Sequence, residues 1–170
     1  MRNVKRIQAI IVVAALAAIG IAPSAGAATK PTTTQKLQLQ YLVEEEKLAR
    51  DVYLYLSANV TTQKFANIAK AEQVHMDQIS LLLKTYAISN PTLTRKTGVF
   101  KDAKLQALYK SLTAQGATDF LAAMGVGVAI EKLDIADLQK YLKYSMPADM
   151  KLALDRLLSG SQNHLVAFNG

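Results

Sequence analysis

Four stretches of this sequence repeat apolar side chains at alternating three- and four-residue intervals, the spacing of one face of an α-helix. Leu42, Ala49, Tyr53 and Leu56 mark the first stripe, and Phe65, Ile68, Ile79 and Leu82 the second. Leu121, Met124, Val128, Ile135, Leu138 and Leu142 mark the third, and Met150, Leu154, Leu157 and Phe168 the fourth. No strand-length alternating run, solenoid repeat or phosphate-cradling Gly loop competes with them. Four such stripes are buried most simply against one another, so the sequence predicts an all-α, antiparallel four-helix bundle.

The stripes are not purely apolar. Glu46 falls within the first, Glu72 and His75 within the second, Glu131 within the third, and Ser161 and His164 within the fourth. A carboxylate removed from water without a partner costs at least several kcal/mol, on the scale of a domain's whole net stability. Something is therefore expected to bind there, and a metal ion is the obvious candidate. By the same rotation argument, Glu44 and Glu45 are expected in water, since neighbouring helical residues differ by about 100°.

In chain order, the first helix is expected from about Leu37 to Ala58 and the second from Gln63 to Tyr86, with a short link favouring a hairpin. A loop over residues 87 to 101, with Asn90-Pro91 and Gly98, is long enough to cross the bundle. A short additional helix, 105 to 115, should stop at Gly116. The third long helix runs from about Thr118 to Lys143, where Gly125 and Gly127 permit close approach, and the fourth begins after Pro147. Ser159-Gly160-Ser161 should weaken that last helix midway and kink it.

Ahead of the helices, Arg2, Lys5 and Arg6 precede an apolar run from Ile7 to Ala22 and the small residues Ala25-Gly26-Ala27. This is the pattern of a signal peptide over residues 1 to 27, with an uncleaved anchor as the competing reading. An exported, secreted or cell-envelope protein is expected, with no stable membrane insertion after cleavage. Residues 28 to 36, a Pro/Thr stretch with Pro31 followed by three threonines, read as a flexible tether to a domain spanning 37 to 170. Loss of residues 1 to 27 would lower the formal net charge from +7 to +4. The remaining charge forms no basic block interleaved with aromatics, so no nucleic-acid partner is expected. The chain has no cysteine, which excludes disulfides, thiolate ligands and Cys nucleophiles.

Glu-x-x-His alone is a weak signal, and each member has an ordinary alternative. Glu46 can turn outward with Glu44 and Glu45, Glu131 can pair with Lys132 or Lys47, and His164 can be a satisfied core histidine. The joint arrangement carries more weight, because both histidines of the chain fall on inward stripes of the second and fourth helices. Bundles that hold two iron or manganese ions use a Glu from each of two helices and Glu-x-x-His from each of the others. Here the second such motif reads Ser161-Gln162-Asn163-His164, with serine in the glutamate position.

The run Glu45-Glu46-Lys47-Leu48-Ala49-Arg50-Asp51-Val52-Tyr53, the Glu72/His75 pair and the ending Gly160-Ser161-Gln162-Asn163-His164-Leu165-Val166-Ala167-Phe168 resemble a ferritin-like family catalogued as domain of unknown function 2202. Glu46 followed seven residues later by Tyr53 is also similar to the first ligand helix of rubrerythrin-like proteins. The resemblance implies a ferritin-like bundle in which Glu46 and Glu131 are terminal carboxylates, Glu72 a bridging one, and His75 and His164 the nitrogen ligands. Ser161 departs from it. Two ions with solvent in the missing place, one ion, or a retained fold without metal all remain open.

The mixed carboxylate and imidazole set suits iron, manganese or zinc. Tyr53 can act as a hydrogen-bond partner, a redox-active ring or simple core packing. The expected function is an exported transition-metal protein, with oxidase- or peroxidase-type or metal-handling chemistry at iron or manganese. The alternative is a non-catalytic envelope interaction protein that retains the scaffold.

Overall fold

A computed structural model describes residues 30–170; the signal peptide expected at residues 1 to 27 lies outside them. Helix α1 (Thr33–Asn59) starts with a capping box, in which the Thr32 hydroxyl accepts from the Gln35 N–H and the Gln35 side chain accepts from the Thr32 N–H. Gln35 also donates through Nε2 to Ser145 O at 2.8 Å, tying this end to the loop before the last helix. Residues Thr33–Lys36, expected in the flexible tether, are therefore the first turn of α1. The apolar pattern begins only at Leu37, but polar capping begins the helix earlier.

Helix α2 (Gln63–Thr85) follows after a link of residues 60 to 62, capped by Thr62, and packs along α1 as a hairpin. Helices α4 (Phe120–Tyr141) and α5 (Ala148–Asn169) form a second hairpin. The hairpins meet where α2 touches α5 and α1 touches α4, while the short α3 (Ala103–Gly116) rests on α1 and α4. This is the expected all-helical bundle with one additional helix, and none of its helices is long and apolar enough to cross a membrane.

Helix α3 stops at Gly116 as expected, without a left-handed turn; the glycine lies against α1, where an added Cβ would come within 2.6 Å of Leu56 Cδ2. Helix α5 is continuous through Ser159-Gly160-Ser161. One local expectation is corrected: Glu44 and Glu45, expected in water, are both buried. Glu44 turns away from the bundle axis to accept from the Lys101 and Asp102 N–H groups at the start of α3, where unpaired N–H groups favour a negative charge. Beside it, Lys47 pairs with Asp51, donates to Lys96 O at 2.9 Å and lies over the Phe100 ring, and Asp51 also accepts from Gly98 N at 2.8 Å. The crossover is thus pinned to α1 by the charged groups of Glu44, Lys47 and Asp51, of which Glu44 was expected in water.

The apolar core is divided in two. One cluster gathers Val52, Tyr53, Phe65, Val126 and Phe168 towards α3, and the other gathers Leu42, Ile79, Leu138 and Leu154 towards the opposite end. Between them, on all four long helices, lies a layer of ionisable and hydroxyl side chains.

Candidate metal centre

Each helix supplies this layer at the point where its stripe passes from one apolar cluster to the other. On α1, Glu46 lies between Val43 and Ala49; on α2, Glu72 and His75 lie between Ala69 and Ile79. On α4, Glu131 follows Ile130, and on α5, Ser161 and His164 lie between Leu157 and Phe168. The structure brings all five expected ligand side chains together: Glu46, Glu72 and His75 form one group, and Glu72, Glu131 and His164 a second, with donor atoms within 4.8 Å of one another in each. Glu72 belongs to both.

Both imidazoles present Nδ1 to this shared carboxylate. His75 Nδ1 is 2.8 Å from Glu72 Oε2 and 3.2 Å from Glu46 Oε2. His164 Nδ1 is 2.9 Å from Glu72 Oε1 and 3.6 Å from Glu131 Oε2. The rings stack with centroids 5.5 Å apart. His164 Nδ1 and Glu72 Oε1 approach closely but are not aligned as a hydrogen bond, and Glu46 Oε1 is also buried without a partner. Two ligands of one ion at right angles, with bonds of about 2.0–2.2 Å, would stand roughly 3 Å apart.

The surroundings hold the donors in place. Tyr53 donates to Glu131 Oε1 at 2.6 Å, and its ring packs on Phe65 and Phe168 with centroids 6.0 and 5.2 Å away. Its hydroxyl thus serves Glu131 while its ring packs the core, joining two of the roles expected of it. Gly127 lies where an added Cβ would come within 2.6 Å of the Phe168 ring, so the expected close approach there is real, whereas Gly125 faces open space. Gly160 is the counterpart on α5: a Cβ there would overlap the imidazole of His75.

The proton balance of the layer is strongly displaced. Burial pushes the Glu72 carboxyl upward, but the imidazoles of His164 and His75 outweigh it and bring it down to about 2. Burial disfavours charged His75, yet Glu46 and Glu72 raise it to about 11; His164 is likewise lifted to about 9 by Glu131 and Glu72. Glu131 is raised to about 7 by burial and the nearby Glu72 charge, against the lowering contacts of His164 and Tyr53. Glu46 is held well above the ordinary carboxylate range by burial and then by Asp134.

Asp134 is the residue that periodicity missed. It is buried on α4 one turn after Glu131, accepts from the Ser161 hydroxyl through Oδ2, and leaves Oδ1 without a partner. Burial raises it to about 7, helped by Glu72 and Glu131 and opposed by Ser161. The expected α4 stripe is partly rotated: Glu131 and Leu138 are buried as expected, but Leu121 is 80% exposed, and Ala123, Val126, Gly127, Ile130, Asp134 and Tyr141 are buried in addition. The signal was present in Glu131-x-x-Asp134, but the first half of α4 is apolar on nearly every side, so spacing defines no single face there.

Comparison with known proteins gives the same architecture. The solved structure of hypothetical protein MJ0754 from Methanococcus jannaschii aligns with a TM-score of 0.80 and 42% identity, covering 82% of this chain and 80% of that one. The curated sequence called uncharacterized protein MJ0754, from Methanocaldococcus jannaschii, is 46% identical over 125 residues, which is 74% of this chain and 68% of the relative. The uncharacterized protein domain DUF2202 matches residues 35–170, nearly the whole described region. This chain belongs to the DUF2202 family.

Proposed function

We propose that this protein binds two transition-metal ions inside its bundle, one at Glu46, Glu72 and His75 and one at Glu72, Glu131 and His164. The observation that carries this reading is the pair of donor groups sharing Glu72, each with a histidine Nδ1 turned to the shared carboxylate. The residues fit such ions, since they combine imidazole with carboxylate and include buried oxygens and a ring nitrogen lacking hydrogen-bond partners. Iron is the favoured ion on this donor set, with manganese or zinc as the other candidates. Iron or manganese would supply one-electron redox chemistry towards dioxygen or peroxide, and the same site without turnover would serve metal handling.

The chain's own part is to position and shield the donors. Glu72 joins the two halves, and Tyr53 fixes one oxygen of Glu131. The aromatic cluster of Tyr53, Phe65 and Phe168 excludes water from one side of the layer. The retained-scaffold alternative is disfavoured because buried carboxylates persist on α1, α2 and α4, where a purely structural core is better filled by apolar side chains.

Export is part of the proposal and rests on the basic, apolar and small-residue order of residues 1 to 27. One preparation tests both parts. Protein recovered from the envelope or medium, purified without chelator, should have a mass lacking those residues and should carry bound metal, while His75→Ala should lose most of it. Equal, near-zero metal in both after addition of iron or manganese would reject the metal site; full-length protein retained in the cytoplasm would reject export.

A further inference from the structure

Serine at position 161 leaves α5 without the carboxylate that the two-ion helical pattern places there, yet another carboxylate faces it in the layer. Asp134 of α4 lies across from it, with the Ser161 hydroxyl donating to Oδ2 and to Leu157 O, the latter at 3.0 Å. Both residues are buried, and Asp134 Oδ1 has no protein partner. We infer that Asp134 is the fourth carboxylate of the metal centre, supplied from α4 in exchange for the glutamate expected on α5 and aimed by Ser161. This inference rests on the proposed metal site.

Charge gives an independent argument. Two divalent ions bring four positive charges into a buried layer, and Glu46, Glu72 and Glu131 return three negative ones when both histidines are neutral ligands. A residual buried charge is costly. Asp134 makes the layer neutral without any further group. Neither three-residue group includes Asp134, so the aspartate completes the site only as the ions draw its free oxygen in.

Glu45, although its oxygens also lack partners, is a less suitable fourth carboxylate. It follows a different direction from Glu46 on α1, and its charged neighbours are Asp134 and Asp137 of α4 with no histidine among them, whereas those of Asp134 include Glu72, Glu131 and His75. The backbone fits the exchange as well. Asp134 follows Glu131 by three residues, the same one-turn spacing that places Glu72 beside His75 and Ser161 beside His164. Each of α2, α4 and α5 therefore contributes a one-turn pair to the layer.

The test is titration with Co(II), a probe whose visible spectrum reports its ligands, on the full mature chain. Wild type should bind two ions per chain. Asp134→Asn should weaken the second ion at least roughly tenfold, as loss of even an outer partner does at metal sites, and should alter the spectrum. Glu45→Gln should leave both unchanged, and the exchange Asp134→Ser with Ser161→Glu should recover the second ion. Two ions bound by Asp134→Asn with wild-type affinity and spectrum would overturn the inference alone. Binding of no metal by wild type would overturn the site itself. Should Asp134→Asn fail to fold, Ser161→Ala keeps the carboxylate but frees it: weaker binding with a shifted spectrum supports the assignment, and wild-type behaviour overturns it.

Discussion

Gly160 shows how one missing methyl group serves the site. A glycine inside a helix is normally a weakness, and replacing it with alanine in an open helix gains about 1 kcal/mol. Here the added Cβ would enter the space of the His75 ring, which is itself held by Glu46 and Glu72 and cannot swing aside freely. Gly160→Ala should therefore lower both the melting temperature and the affinity for metal, with helix content by circular dichroism unchanged. A more stable variant with undiminished metal binding would show that the ring yields. The sequence carried the glycine but not this reason for it: a kink was expected, and the neighbour that requires glycine lies on another helix, 85 positions away by residue number. Glu44 and Lys47 are similar cases. Their burial depends on the returning crossover, whose N–H groups and carbonyl receive them.

At the level of elements, the helix ends follow local chemistry closely. Thr32, Thr62, Asp102 and Asp119 each cap a helix with a side-chain oxygen. The end of α2 is less well matched. Ala87 has φ +53°, with its N–H bonded to Lys84 O and the next residue's N–H bonded to Leu83 O at 2.8 Å. This is the paired closure that glycine ordinarily provides. Ala87→Gly should consequently raise stability by about 0.5–1 kcal/mol, since a left-handed L-residue costs roughly 1–2 kcal/mol and glycine gives back part of that in unfolded-state entropy. Urea unfolding at fixed pH measures it, and a decrease would contradict the assignment of strain. The rotation of α4 is the main element that spacing misread, for its first half offers apolar residues to every direction and the choice of buried face falls to α1, α3 and α5.

For the molecule as a whole, the central layer couples stability to protons and, on the proposed function, to metal. Glu131 and Asp134 at about 7 lie above their ordinary unfolded values near 4, and His75 and His164 at about 11 and 9 lie above about 6.5. Each folded value exceeds its unfolded one, so the folded, metal-free protein binds the extra protons and loses stability as pH rises. The carboxyls act between about pH 4 and 7, and the histidines from about 6.5 upward. Glu72, lowered to about 2, has the opposite sign, but its contribution is lost only as pH falls from its ordinary range towards 2. The metal-free melting temperature should therefore fall from pH 5 to pH 8. The increment on adding metal should grow over the same interval, because binding must displace those protons. A metal-free melting temperature that rises with pH would contradict the buried proton balance. From residue order alone come the helical class, the two hairpins and the five inward candidate ligands, because a 3.6-residue period and local capping are properties of each segment by itself. The burial of Asp134, Glu44 and Glu45 comes only from the assembled bundle, which also brings both histidines to Glu72, the carboxylate that the family resemblance implied as bridging. A period states which residues share a face, whereas burial and convergence depend on which neighbouring helix covers that face and at what rotation.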